Sequence, residues 1–333
     1  MSKNLSRRDF FKLTGTTAGA LALSACGVNA TALPTQMATA TAVPTDTPKA
    51  QNKFLDTTIL LEGLVFPESP RWHDSKLWFS DIFDHKVMTV DAAGHSETVV
   101  TLPGLPSGLG WLSNNRLGIV SSNECTLLQL VPAGLSVVAE LRNLDPSPCN
   151  DMVVSQQGWA YIGTMGFDLY AGEPYAQGRI ILVTLDGPAR VVADQLDFPN
   201  GMVITPDGHT LIVAETSGQC LTAFDITSDG SLINRHVWAS TMDYTPDGIC
   251  LDQEGAIWAA AYGSSYVIRI REGGAITQRV RVVNTPLACM LGGVDGRTLF
   301  VLTTATSQPE EALARRTGRI ETVQVEMAGA GHP

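Results

Sequence analysis

The chain has 333 residues, 44% of them hydrophobic, and its 22 Lys and Arg are outnumbered by 33 Asp and Glu, which gives a formal net charge of −11. A protein that binds the phosphate backbone of nucleic acids needs a basic face, so this balance argues against nucleic acid as a partner. The 31 glycines and 18 prolines predict many tight turns, and therefore many short strands rather than long helices.

Residues 1–25 have the features of an export signal. Two adjacent arginines, Arg7 and Arg8, precede a pair of phenylalanines, and the uncharged stretch 13–25 is too short to cross a bilayer comfortably. This arrangement resembles a twin-arginine signal. The stretch ends in Leu-Ser-Ala before Cys26, which resembles a bacterial lipobox. We therefore predict export to the periplasm or cell surface, with Cys26 lipidated at the start of the mature chain; cleavage without lipidation is the alternative.

Residues 26–55 are rich in Thr, Ala and Pro. A segment of this composition buries no apolar core, so we predict a disordered tether between the signal and the folded domain. The membrane would then be contacted only through the lipid anchor.

The remaining cysteines form no CxxC pair and have no histidine at metal-ligand spacing. Because twin-arginine substrates cross the membrane already folded, we expect these cysteines to be buried free thiols. They are Cys125, Cys149, Cys220, Cys250 and Cys289.

Six similar units follow one another from Thr57 to the end of the chain, with a period of roughly 40 to 50 residues. Each unit begins with Pro, Gly or Asn, continues through an apolar strand and a turn, and goes on to further strands. Four short strands in a repeat of that length are typical of a propeller blade. We predict that residues 56–333 form an all-β, six-bladed β-propeller, with four-stranded antiparallel blades around a central channel. Segments 57–66 and 319–325 are expected to share a blade and close the ring.

Aligning the starts of these units reveals one position that is polar in five of the six. In a propeller the innermost strands begin around the mouth of the channel, so two carboxylates and two amides should converge there. A donor set made only of oxygen suits one hard divalent cation, Ca²⁺ first, with Mg²⁺, Mn²⁺ or Zn²⁺ as alternatives. The position reads Glu68, Ser107, Asn150, Asn200, Asp247 and Ala288.

Asn-Gly and Asp-Gly are also common turn pairs, and Asp207-Gly208 fits that interpretation because it lies between two strands. Asn200-Gly201 and Asp247-Gly248 instead come before an inner strand, where no hairpin turn is needed. The pattern therefore favours a site over a turn at these two positions.

Three segments resemble the family of senescence marker protein, gluconolactonase and luciferin-regenerating enzyme. They are Phe66-Pro-Glu-Ser-Pro-Arg-Trp72, Phe198-Pro-Asn-Gly-Met202 and Pro246-Asp-Gly-Ile-Cys-Leu-Asp252, in the family's order within a match from about residue 60 to 326. The resemblance implies a six-bladed propeller with one divalent metal in its channel. It also implies, as in many members, the hydrolysis of sugar lactones.

Carried over by position, the resemblance implies that Glu68, Asn200 and Asp247 are metal ligands. Asn150 matches an asparagine that faces the metal or the substrate. The family often has an arginine two residues before that asparagine, where it helps to hold a sugar lactone, and this chain has Pro148 there.

The segment 163–168 resembles the family's substrate-side loop. This implies that Met165, Phe167 and Asp168 line the pocket, together with Asn150 and Ser107.

These residues predict a divalent-metal-dependent hydrolase that opens a sugar lactone or a related small cyclic ester, with Asp247 as the catalytic base. The histidines fall in predicted turns and no Gly-x-Ser-x-Gly segment occurs, which argues against a serine triad. One alternative is a non-catalytic, metal-stabilised binding propeller on the cell surface; another is hydrolysis of a different ester class at the same metal. The sequence leaves the natural substrate, the metal and the oligomeric state open.

Overall fold

The computed structural model describes residues 54–331, and nearly all of its regular structure is β-strand. The strands form six sheets in which consecutive strands pair antiparallel, as the frequent turn signals predict. The predicted signal of residues 1–25, the lipidation site Cys26 and the tether up to residue 53 lie outside the described residues. Within residues 54–331, no helix combines the length and apolar composition of a membrane span.

Each sheet is one blade, and blades 1 to 3 follow one another along the chain. Blade 1 contains β3 (Pro67–His73), β4 (Lys76–Asp81), β5 (Lys86–Val90) and β6 (Ser96–Thr101). Blade 2 contains β7 (Pro106–Trp111), β8 (Leu117–Ser121), β9 (Thr126–Val131) and β10 (Gly134–Glu140). Blade 3 contains β11 (Cys149–Val154), β12 (Ala160–Thr164), β13 (Gly178–Val183) and β14 (Arg190–Leu196).

Blades 4 to 6 continue this order, and the last two take strands from the start of the described chain. Blade 4 contains β15 (Pro199–Ile204), β16 (Thr210–Glu215), β17 (Cys220–Ile226) and β18 (Leu232–Ser240). Blade 5 contains β19 (Thr245–Leu251), β20 (Ile257–Tyr262), β21 (Tyr266–Ile270), β22 (Ile276–Arg281) and β1 (Phe54–Asp56). Blade 6 contains β23 (Thr285–Gly292), β24 (Thr298–Thr304), β25 (Gly318–Gln324) and β2 (Thr58–Leu64). A 3₁₀ turn (Ile82–Asp84) follows β4, and helix α1 (Pro309–Arg315) follows β24.

The first strand of every blade contacts the first strands of both neighbouring blades, so β3, β7, β11, β15, β19 and β23 form a closed ring around a channel. Aromatic side chains pack between adjacent blades. Trp78 of blade 1 meets Trp111 of blade 2 edge-on, with ring centroids 5.4 Å apart, and Trp72 stacks on Phe300 of blade 6 at 5.3 Å. The predicted six-bladed propeller is confirmed.

Blade 6 closes the ring as the sequence predicts, because β2 pairs antiparallel with β25. The chain between β2 and β3 is held by Asp81 at the end of β4. Its carboxylate accepts hydrogen bonds from the backbone N–H groups of Val65 and Phe66, the shortest at 3.0 and 2.6 Å. This contact fixes the link between the closing blade and blade 1.

The start of the domain differs from the prediction, which placed Phe54 and Leu55 in the tether. They form β1 with Asp56 and extend blade 5 by a fifth strand, parallel to β22. The Phe54 ring packs against Tyr266 with centroids 5.8 Å apart, and Leu55 packs on the core of the neighbouring blades. β1 thus covers the outer edge of β22 and leaves a strand of only three residues as the edge of the sheet.

The expectation of free thiols is wrong for Cys125 and Cys149, which form a disulfide with their Cα atoms 5.1 Å apart. Cys125 lies in the turn before β9 of blade 2, and Cys149 begins the inner strand of blade 3. The packing of adjacent blades brings them together, which no local sequence pattern indicates. Cys250 and Cys289 are buried free thiols, as expected, and Cys220 is free but only half-buried.

Candidate active site in the central channel

A bulge near the start of each inner strand sets the direction of its first side chains. In blade 4, Pro199 pairs with Glu215 and the next pair is Met202 with Val213, so the inner strand advances three residues while its neighbour advances two. The inner strands of the other blades each gain one residue in the same region. A bulge turns side chains out of the regular pleat. In blade 4 the residue after Pro199 is Asn200, which lines the channel cavity.

A cavity of about 880 Å³, including its open mouth, lies over this end of the channel. The five polar residues of the aligned position all line it, as the sequence predicts: Glu68, Ser107, Asn150, Asn200 and Asp247.

The alignment of unit starts assigned Ala288 as the sixth member of that position, and this assignment is wrong. In the pair just before the bulge, Pro286 of β23 faces Thr303 as Pro246 of β19 faces Ala261, so the equivalent residue is Leu287. Leu287 is fully buried in an apolar cluster and is not part of the cavity wall. Ala288 instead packs against Gly248, where a Cβ would lie 2.4 Å from the alanine Cβ. One side of the ring therefore carries no polar side chain at this level.

Glu68 and Asp247 bring two carboxyl groups to the floor of the cavity. Burial raises the pKa of Glu68 to about 8, with a further upward effect from Asp151, although the Ser69 N–H donates a hydrogen bond to the carboxylate at 2.8 Å. Burial also raises the pKa of Asp247 well above its usual range, and the nearby Glu68 raises it further. Glu68 lies deep within the protein but is only half-buried, because its side chain faces the open cavity. Two carboxylates so placed repel each other unless a cation lies between them.

The two amides present their oxygens to the same space. The Asn200 amide nitrogen donates to Thr216 Oγ1 at 3.2 Å, and its side chain also hydrogen-bonds Asp247. The Asn150 amide nitrogen donates to the Pro199 carbonyl at 3.2 Å. Because the amide nitrogens already donate hydrogen bonds, the amide oxygens are left to coordinate a cation. The Ser107 hydroxyl is committed to the backbone, because it donates to the Asn150 carbonyl.

Backbone strain accompanies these residues. Ser69 and Phe198, which are not glycines, adopt left-handed conformations with φ of 51° and 62°. Ser69 directly follows Glu68, and Phe198 lies two residues before Asn200. Such conformations cost free energy and persist where the surrounding structure holds them, commonly at functional sites.

Sequence reasoning missed a buried ion pair next to this floor. The Arg71 guanidinium donates to the Asp151 carboxylate at 3.0 Å across the channel from β3 to β11, and both side chains are almost completely buried. Arg71 also donates to the carbonyls of Met152 and Pro70, the latter at 2.7 Å. Asp151 is the residue after Asn150, so the pair fixes the strand that carries that amide.

The donor set fits a hard divalent cation. Within residues 54–331, no three His, Cys, Asp or Glu side chains form a metal-holding group, so the amide oxygens have to complete any such site. Two carboxylates balance a double positive charge, and buried carboxylates without a cation carry a high desolvation cost. Glu68, Asn200 and Asp247, with Asn150 beside them, are the residues that would hold the ion.

The loop after β12 contributes to the cavity differently from the prediction. Met165 lines the wall, whereas Phe167 and Asp168 do not. The Phe167 ring is buried against Phe198, with centroids 5.8 Å apart. The Asp168 carboxylate accepts hydrogen bonds from the N–H groups of the second and third residues after it, at 2.9 and 2.8 Å, and so shapes the loop. That turn brings Leu169 and Tyr170 to the wall instead.

Comparison with known proteins relates the chain to one family. The model of the SMP-30/Gluconolactonase/LRE-like region matches residues 66–306. Regucalcin of Gallus gallus is 26% identical over 75% of this chain and 86% of its own length. The 6-deoxy-6-sulfogluconolactonase of Pseudomonas putida is 23% identical over 83% of this chain and 96% of its own length.

Solved structures share the fold. A calcium-binding protein, regucalcin, from Agrobacterium tumefaciens superimposes with a TM-score of 0.72 at 22% identity, over 84% of this chain and 98% of the other. A luciferin-regenerating enzyme superimposes with a TM-score of 0.71 at 15% identity, over 82% of this chain and 97% of the other.

Proposed function

This chain belongs to the SMP-30/gluconolactonase/LRE-like family, and on that premise we propose that it hydrolyses a lactone or related small cyclic ester at a divalent cation in the mouth of its channel. One observation carries the proposal: Glu68, Asn150, Asn200 and Asp247, from four different blades, line one cavity with oxygen donors. The 6-deoxy-6-sulfogluconolactonase among the relatives supports the reaction class, and the regucalcin of Agrobacterium tumefaciens, described as a calcium-binding protein, supports the cation.

Hydrolysis of a lactone adds water to the carbonyl carbon, breaks the ring C–O bond and leaves a carboxylic acid and a hydroxyl group. A divalent cation bound by Glu68, Asn200 and Asp247 would supply Lewis-acid polarisation of the carbonyl oxygen. Asp247 takes the proton from the attacking water, because its carboxylate lies at the floor where the water must approach. The same proton then passes to the ring oxygen as the C–O bond breaks, which balances the reaction.

Asn150 and the residues around it keep the substrate side of the floor in place. The Asn150 backbone carbonyl accepts from Ser107, and its side chain is held by the Pro199 carbonyl. The amide is therefore held in place before a ligand enters, and its oxygen is left to coordinate a cation or to accept a hydrogen bond from the substrate.

The test is a hydrolysis assay on a panel of lactones with protein stripped of metal and then supplied with Ca²⁺, Mn²⁺, Zn²⁺ or none. Asp247→Asn is compared with Asp243→Asn, a matched change at an exposed position four residues earlier. We expect cation-dependent ring opening that Asp247→Asn reduces at least 100-fold, in line with loss of a general base, and that Asp243→Asn leaves unchanged. Calorimetric titration of Ca²⁺ into both variants provides a readout that does not depend on turnover.

The outcomes separate the alternatives. Cation binding that stabilises the protein without turnover of any lactone would refute the hydrolase and favour a metal-stabilised binding propeller. Turnover that is insensitive to cation removal and to Asp247→Asn would place the chemistry elsewhere.

We also propose export and lipidation of the mature chain at Cys26, which the paired arginines and the Leu-Ser-Ala-Cys segment support. Mass spectrometry of the N-terminal peptide from a bacterial membrane fraction tests it. An acylated Cys26 is expected; an unmodified N-terminus from the soluble fraction would contradict the anchor.

A further inference from the structure

The wall of the cavity has a different chemistry from its floor. Above the polar residues, most of the surface comes from aromatic and aliphatic side chains, nearly all from the segments that connect the strands, and Ser122, Asn123, Thr216 and Ser307 add polar groups to it. No Arg, Lys or His of the described chain lines the cavity. We call the following residues the rim cluster: Phe66, Ile82, Phe83, Leu105, Tyr170 and Tyr262.

The rim cluster is preformed by its own packing. The Phe66 and Phe83 rings lie 4.7 Å apart, and Phe83 meets Tyr170 edge-on at 5.5 Å. The cluster also packs against Leu287 and against Ala312 of helix α1, so the apolar sixth position of the ring supports it from below. An apolar surface held in this way is ready to receive a ligand without first ordering its side chains.

The consequence for a ligand follows from desolvation. A sugar lactone carries several hydroxyl groups, and each one that enters an apolar wall loses hydrogen bonds to water without a replacement. An alkyl or aryl group gains free energy on the same wall, because its surface leaves water. At Pro148, an apolar ring lines the cavity two residues before Asn150.

We infer that the lactone opened at this site carries an apolar alkyl or aryl substituent, which the rim cluster holds while the polar floor takes the ester group. This inference rests on the proposed lactone hydrolysis and adds the substrate class. The reaction is the hydrolysis written above, so water is the only co-substrate and the product is a hydroxy acid that bears the same apolar group.

The experiment measures kcat/KM for a series of γ-lactones with side chains from methyl to heptyl, together with glucono-1,5-lactone, on the full chain with a saturating divalent cation. Burial of each added methylene should raise kcat/KM roughly threefold to fourfold until the wall is covered. Glucono-1,5-lactone should be the poorer substrate. A flat series, or a preference for glucono-1,5-lactone, overturns the inference while leaving the proposed hydrolase intact.

Leu105→Asn tests the wall directly, with Leu313→Asn on the exposed face of α1 as the matched control. The first variant should lower kcat/KM for the heptyl lactone roughly tenfold more than for the methyl lactone, since it removes apolar contact only where the chain lies. The control should preserve the increase of kcat/KM with side-chain length, which is the slope of the series. Equal slopes in both variants would refute the role of the rim cluster.

If no lactone turns over, the proposed hydrolase fails, and binding still decides the inference. Calorimetric titration with γ-alkyl lactams, which present the same chain on a ring that resists opening, then reads the preference of the wall. Affinity that rises with chain length supports an apolar ligand, and affinity that does not change with chain length overturns it.

Discussion

Replacing Arg71 by methionine should destabilise the protein strongly. The substitution keeps an unbranched apolar side chain of similar length but removes the guanidinium from a pair whose members are 4% and 5% exposed. Asp151 then keeps one hydrogen bond, from the Met152 N–H at 2.8 Å, and loses its only ion pair among the described residues. The carbonyls of Pro70 and Met152 lose a donor as well.

The size of the effect follows from these losses. Breaking a buried ion pair by removing one partner costs about 3–5 kcal/mol, because the other charge stays buried without compensation. Replacing both partners is often nearly neutral, so Arg71→Met with Asp151→Asn should recover most of the loss. Removal of the guanidinium also leaves Glu68 with less positive charge nearby, so Ca²⁺ should stabilise Arg71→Met more than it stabilises the unchanged protein.

Urea unfolding followed by tryptophan fluorescence measures these free energies, with and without Ca²⁺. The matched control is Arg281→Met, which breaks an exposed pair with Asp56 at 2.9 Å and should cost at most about 1 kcal/mol. A loss for Arg71→Met as small as that of the control would refute the argument that the buried pair holds the channel together. So would a double variant that is no more stable than Arg71→Met alone.

Three further predictions concern the packing of the blades. Gly201→Ala should lower the free energy of unfolding by about 3 kcal/mol or more, because the added Cβ would lie 2.5 Å from the Ile249 nitrogen of the next blade. Gly187→Ala is the control and should change the thermal unfolding little, since its added Cβ would lie 3.2 Å from the nearest side-chain atom. Cys149→Ser should cost about 3 kcal/mol by opening a disulfide across 24 residues, and added reductant should then no longer change the melting temperature. The pKa of Asp84 is lowered, chiefly by a hydrogen bond from Arg316. The ionised carboxylate therefore stabilises the fold above about pH 4, and this stabilisation is lost as the pH falls. Asp84→Asn should therefore destabilise by under about 1 kcal/mol at pH 7 and by less at pH 3, and an unchanged difference at both pH values would contradict this assignment.

The repeat pattern was sufficient to predict the propeller and five members of the aligned position. These follow from sequence because each blade repeats the same strand start, and Glu68 and Asp247 stand out against apolar strands. The assignment of the sixth member to Ala288 was wrong by one residue. Aligning on the prolines that precede the position in five blades, rather than on the apolar run, would have given Leu287.

The rest of the site depends on contacts between blades that no local pattern encodes. The partners Arg71 and Asp151 are 80 residues apart, and they meet only because bulges in two inner strands turn both into the channel. The Cys125–Cys149 disulfide joins two blades in the same way. All members of the rim cluster except Tyr262 come from connecting segments, and sequence does not tell which apolar side chains of such segments face inward. Tyr170 was missed and Phe167 was wrongly placed for this reason.

The strand exchange in blade 6 also determines when the ring can form during synthesis. Thr58 lies opposite Thr322, 264 residues further along, so β2 is among the first strands to be made and waits for almost the last. Until then the nascent chain is an open arc with an unpaired strand at one end and an unfinished sheet at the other. Both are surfaces on which other strands can add. Premature release or truncation near the C-terminus would therefore affect more than the last strand, since without β25 the ring of blades cannot close.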